Sequence, residues 1–116
     1  MTTNSKKTPL EKLKAKIIKG SFPKSSPHFG GANLIITDDP TYLGHAQDIR
    51  IFTGNANELS WLVFELKEIF EDQIDSMNKY NFYPIIGIAI NEALDQKKEL
   101  IETMLYVIDI LEKEWG

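Results

Sequence analysis

The sequence holds no cysteine, which excludes a disulfide scaffold, a thiol nucleophile, a zinc ribbon and an iron–sulfur site. Arginine is nearly absent too: Arg50 stands alone against twelve lysines. A general nucleic-acid binder draws more heavily on the residue that forks onto phosphates and guanines. The longest apolar run, residues 85–90, is six residues long, whereas roughly 20 are needed to span a bilayer. No charged-then-apolar signal segment opens the chain, and there are no internal repeats or low-complexity tracts. A cytoplasmic protein with no membrane partner is expected.

What is present is ordinary globular material. The chain has 116 residues, 42% of them apolar and 26% charged, with a formal net charge of −4. That size suits one domain able to bury its own core. The charge is unevenly placed. Residues 1–24 carry seven lysines and one acid, a balance of +6, while residues 25–116 carry six basic residues and sixteen acids, a balance of −10. Such a body repels a phosphate backbone, so a nucleic-acid partner is disfavoured, and the basic segment is expected to lie against the acidic body of its own or a neighbouring chain.

Residues 1–7 read as a loose tail and residues 8–116 as a single α+β domain. Thr8-Pro9-Leu10-Glu11 opens a helix, with Thr8 as N-cap, Pro9 at the first helical position and Glu11 closing a capping box; Gly20 stops it. Leu10, Leu13 and Ile17 fall on one face. Residues 20–31, rich in glycine, proline and serine, read as a loop. Strands are expected over 32–37 and 48–53, paired as a small antiparallel hairpin. Asn55 and Glu58 offer a second cap, for a helix over about 56–79. Residues 84–114 read as one continuous helix, or else as a strand to residue 90 followed by a helix capped by Asn91; Pro84 and a continuous polar stripe favour the first. The expected architecture is a long antiparallel α-hairpin packed with the β-hairpin and a short N-terminal helix. A helix of 31 residues, about 46 Å long, is more than this chain comfortably covers, so a homodimer or higher oligomer is expected.

The chemistry-bearing residues suggest three readings. Glu65, Glu68, Asp72 and Asp75 line one side of the second helix and would present carboxylates to a basic protein partner. The loop aromatics Phe29, Tyr42 and Tyr83 would anchor that partner. The bland alternative is a solubilising helix face. The second reading is a ligand site bordered by Lys24, Ser25, Ser26, His45 and Arg50. Here a glycine-serine loop would offer free N–H groups to phosphate, although no Walker or dinucleotide fingerprint is present. His28 and His45 have neither diagnostic metal spacing nor a nucleophile signature around them.

The third reading is enzymatic. Glu65 and Glu68, then 23 intervening residues, then Glu92 and Asp95 form an ExxE…ExxD pattern. It resembles the signature of the MazG-like all-α nucleoside-triphosphate pyrophosphohydrolases. That resemblance implies Mg²⁺ held by Glu65, Glu68, Glu92 and Asp95. The chain departs from it in its strands and in the lack of a strongly acidic, glycine-containing run at the second motif. Without a catalytic signature beyond this, and with no cofactor otherwise indicated, the preferred expectation is non-enzymatic. It is a small acidic binding protein that inhibits or sequesters a partner, in the manner of immunity, antitoxin or anti-defence proteins. The alternatives are the Mg²⁺-dependent hydrolase and a non-catalytic nucleotide-binding sponge.

Overall fold

A computed structural model describes residues 8–23, 28–31, 33–42, 49–74 and 79–115. It is a mixed α+β fold of four helices and a three-stranded sheet. Helix α1 (Pro9–Lys19) begins where local chemistry dictates. The Thr8 hydroxyl accepts from the Glu11 N–H at 3.1 Å, and the Glu11 carboxylate accepts from the Thr8 N–H at 2.9 Å. Both donors would otherwise lack a partner. It ends at Gly20, whose φ of 75° is left-handed and lets its N–H reach the Ile17 carbonyl. Leu13 and Ile17 are buried, and α1 rests on α4 (Leu100–Trp115) and α2 (Ala56–Ile69). The Lys14 ammonium meets the Glu112 carboxylate of α4 at 2.7 Å. The basic helix thus lies against the acidic body of its own chain.

The sheet departs from expectation twice. His28–Gly31, inside the segment read as loop, is strand β1, paired antiparallel with β2 (Leu34–Thr37). Asn33 turns between them at a φ of 66°, a conformation asparagine tolerates. The composition of residues 20–31 hid this strand, because its glycines are tolerated where β2 and a tight turn supply the pairing. The second departure is direction. Strand β3 (Ile49–Phe52) runs parallel to β2, with Leu34 opposite Ile49 and Thr37 opposite Phe52. An antiparallel pair closes through about 2–5 residues, whereas the connection from 38 to 48 is long enough to carry the chain back to the start of β2.

Pairing register sorts the sheet into two faces. Phe29, Leu34, Ile36, Ile49 and Ile51 share one, and helices α2 and α3 (Lys79–Asp95) cover it. The Phe29 ring meets Phe64 of α2 and Tyr83 of α3, both at 5.3 Å between centroids. Gly87 lets α3 sit close, since a Cβ there would stand 2.9 Å from a Leu34 methyl. Behind this layer Leu66, Phe82, Ile86, Ile90, Met104, Val107, Ile108 and Leu111 complete the core with Leu13 and Ile17.

Both long helices are shorter than the sequence suggests. Helix α2 ends at Ile69, followed by a 3-10 turn at Glu71–Gln73. Glu68, Glu71 and Asp72 crowd its carboxyl end, where the helix dipole disfavours negative charge. Its expected capping box is also absent: the Asn55 side chain makes no cap bond, and the Asn55 N–H donates to the Thr53 hydroxyl. Residues 84–90 are helical, with Pro84 inside α3 rather than in its first turn. The expected rod then breaks at residues 96–99. Lys97 takes a left-handed φ of 58°, and the Lys97 and Lys98 N–H groups close onto the Leu94 and Ala93 carbonyls. The Glu99 N–H donates to the Glu102 carboxylate, starting α4. Helices α3 and α4 pack against each other, and the long-rod argument for an oligomer loses its basis. Among the described residues, no helix is long and apolar enough to cross a membrane.

Candidate functional site

Two surfaces concentrate chemistry that the core does not use. The first lies where the end of α2 and the following 3-10 turn meet α1. Leu10 and Ile69, both half-buried, and the edge of Phe70 line a groove of about 480 Å³, with Thr8, Pro9 and Gln73 around it and Asp72 and Glu112 at its rim. A smaller groove beside it is lined by Pro9, Lys12, Leu13, Lys16, Glu65 and Ile69. The sequence builds this place by conflict. The apolar face of α1 must dock, while the acids after Leu66 end α2 and leave carboxylates at the seam.

Glu68, Glu71 and Asp72 are exposed, and Glu65 is half-buried in the smaller groove. Among the described residues none of these four carboxylates is within ion-pair distance of a cation. Glu112, by contrast, is already matched by Lys14. The seam therefore joins apolar side chains to charges of both signs, with Asp72 on the larger groove and Glu65, Lys12 and Lys16 on the smaller. Asp75, expected on the same stripe, lies outside the described residues.

The anchor assignments are corrected for two of the three aromatics. Phe29 and Tyr83 are 3% and 5% exposed and engaged with each other, Tyr83 also with the buried Phe82 and Phe29 with the partly exposed Phe64. Burial pushes the Tyr83 phenol above its ordinary pKa. Neither ring is free to meet a partner. Tyr42 is half-buried and belongs to the second surface.

That surface is the sheet face opposite α2 and α3. Register places His28, Thr37 and Phe52 in one row and Gly30, Ile35 and Arg50 in the next. Tyr42 lies over β1: its ring stacks on His28 at 5.0 Å and 19°, and its hydroxyl stands 3.0 Å from where a Cβ at Gly30 would be. The turn leading to it is tied by side chains. Thr37 Oγ1 accepts from the Asp39 N–H at 3.0 Å and lies 3.2 Å from His28 Nδ1. Asp39 Oδ1 accepts from both the N–H and the hydroxyl of Thr41. Those two bonds, aided by nearby His28, hold the Asp39 carboxyl below its usual range. Arg50 is exposed and reaches the Tyr42 carbonyl only at 3.5 Å, while Phe52 is 62% exposed. Of the residues expected to border a ligand here, Arg50 is on this face; Lys24, Ser25, Ser26 and His45 lie outside the described residues.

The expected metal quartet does not assemble. Glu65 and Glu68 sit on α2, and Glu92 and Asp95 on the last turn of α3, where Glu92 accepts a hydrogen bond from the Tyr106 hydroxyl at 3.0 Å. Among the described residues no three His, Asp or Glu side chains gather as a metal-holding group. Sequence reading missed Leu10, Ile69 and Phe70 as a groove, and Phe52 as a surface ring. The first needed the docking angle of α1. The second was available from strand alternation, which puts Phe52 beside Arg50. In comparisons with protein families, curated proteins and solved structures, no family model, curated protein or solved structure matches the chain.

Proposed function

We propose that this chain is a non-enzymatic binding protein that captures a basic protein partner and occludes it, as immunity proteins and antitoxins do. The observation that carries this reading is the seam between α1 and the end of α2. Leu10, Ile69 and Phe70 offer an apolar floor; Asp72 lines the larger groove, and Glu65 lines the smaller one with Lys12 and Lys16. Glu68 and Glu71 are exposed on the same stretch of chain, and none of the four carboxylates has an ion-pair partner among the described residues. Unpaired carboxylates raise the rate of encounter with a cationic surface and repel acidic competitors. An apolar floor then supplies the contact that persists once water has left. Lysine or arginine side chains of the partner suit the rim, and an aliphatic or aromatic side chain between them suits the floor.

The hydrolase reading has no comparable support, because its four carboxylates are not brought to one place. The test of the binding reading is co-purification from the protein's own host, comparing the natural chain with Glu68→Lys/Asp72→Lys. Both positions are exposed, so the variant is expected to fold. The natural chain should retain a basic protein at low salt and lose it at about 0.5 M salt, where the Debye length falls to roughly 4 Å. The variant should not retain it at all. Retention by both proteins at low and high salt alike would refute the electrostatic account.

A further inference from the structure

The sheet face opposite the helices carries a combination that the binding reading above does not use. Arg50 and Phe52 are two residues apart on β3, hence on the same face and roughly 6–7 Å apart along the strand. Both are exposed. Arg50 is the chain's only arginine, and among the described residues no carboxylate lies within ion-pair distance of it. Among the described residues its one hydrogen bond, to the Tyr42 carbonyl, is at the long limit and leaves the guanidinium fork available. An arginine with no ion pair among the described residues is unusual in a body whose balance over residues 25–116 is −10. The Phe52 ring is 62% exposed and has no ring contact among the described residues.

The site is also stiff. The Thr41 bonds to Asp39, the Thr37 hydroxyl and the His28–Tyr42 stack hold the Tyr42 end of the connection against β1. Ile35, next to Arg50 in its row, is 1% exposed, so the open part of this face is confined to the β3 side. Both contacts, Arg50 and Phe52, come from one strand, β3.

We infer that this face binds a free nucleotide, with the phosphate on the Arg50 guanidinium and the base stacked on Phe52. A guanidinium presents parallel N–H donors that match two phosphate oxygens. A phenyl face stacks any nucleobase with little preference among them. The spacing along β3 leaves room for one ribose between the two contacts. The acidic body selects against a strand of many phosphates, which would meet repulsion beyond the single arginine.

The test is a titration followed by nuclear magnetic resonance of the intact chain, with adenosine monophosphate as the probe and adenosine, inorganic phosphate and a short single-stranded oligonucleotide alongside. The expected result is saturable shifts of the Arg50 side-chain and Phe52 ring signals by the monophosphate, with weaker binding of all three comparison ligands. Arg50→Gln and Phe52→Ala should each weaken binding about tenfold, the scale of one charge-assisted or stacking contact. Both sites are exposed, so an unchanged spectrum elsewhere will confirm that the variants fold. Shifts confined to other residues, affinity unchanged in either variant, or tighter binding of the oligonucleotide would each overturn the inference. This outcome is independent of whether a basic protein binds at the α1–α2 seam.

Discussion

Helix α3 reaches the sheet through Gly87, and replacing that glycine with alanine sets two effects of opposite sign against each other. Alanine in place of glycine in a helix interior stabilises by about 1 kcal/mol, because the unfolded chain loses freedom. The new Cβ, however, would stand 2.9 Å from Leu34 Cδ1, 3.1 Å from Ile49 Cγ2 and 3.5 Å from Ile49 Cδ1. The first distance is shorter than real Cβ contacts show, and the second requires Ile49 to give. Leu34 is fully buried, and the β-branched Ile49 has few rotamers to move into. Overpacking of this kind costs about 1–3 kcal/mol. The steric term therefore outweighs the helical one, and Gly87→Ala should lose about 1 kcal/mol net, a fall in Tm of roughly 3–6 °C for a domain of this size. Thermal and urea unfolding followed by circular dichroism would read it. Gly54→Ala serves as the control, since nothing lies within 4 Å of a Cβ there, and it should be neutral or slightly stabilising. A Gly87→Ala protein as stable as the natural one would refute the close seating of α3 on β2 and β3.

Other outcomes follow from particular residues. Ser60 is fully buried in α2, and its hydroxyl has no hydrogen-bond partner among the described residues, so Ser60→Ala should raise stability by about 1 kcal/mol in urea unfolding. Thr8→Ala removes one half of the capping box of α1 and should cost about 1 kcal/mol. The Asp39 carboxyl is held below its ordinary pKa by Thr41 and His28. Its contribution to stability is therefore present above the unfolded value and lost as pH falls through the lowered folded value. Thr41→Val should move that titration back up in carbon-detected resonance spectra and flatten the acid limb of stability. The Tyr106 phenol is raised, first by its hydrogen bond to Glu92, so Glu92→Gln should bring phenolate formation to lower pH.

What was legible in the sequence was what local chemistry decides. The start of α1 is written in Thr8, Pro9 and Glu11, because a cap is satisfied within four residues. The helical state of residues 84–90 could be read from the polar stripe running on past Gly87, although Pro84, read as a first-turn proline, lies inside α3. The break after Asp95 could not. It is made by Lys97 in a left-handed conformation that glycine usually marks. The Glu99–Glu102 pair beside it resembles any acidic helix face, yet it starts α4 through a backbone bond. The direction of β3 was equally hidden, since a strand's apolar alternation is the same in parallel and antiparallel pairing.

The candidate site divides in the same way. Glu68 and Asp72 could be placed on a surface because a short helix leaves its charged side in water. Phe29 and Tyr83 could not be placed in the core, because both border segments whose composition reads as loop. Their neighbours Phe64 and Phe82 arrive from distant parts of the chain. The floor formed by Leu10, Ile69 and Phe70 exists only once α1 has docked, and no local pattern reports a docking angle.

Native mass spectrometry of the natural chain, purified gently from its own host, tests the central claim most directly. The account predicts the 13.3 kDa chain in a stoichiometric complex with a second, basic protein. The bare chain or its multiples, carrying no second protein, would contradict it.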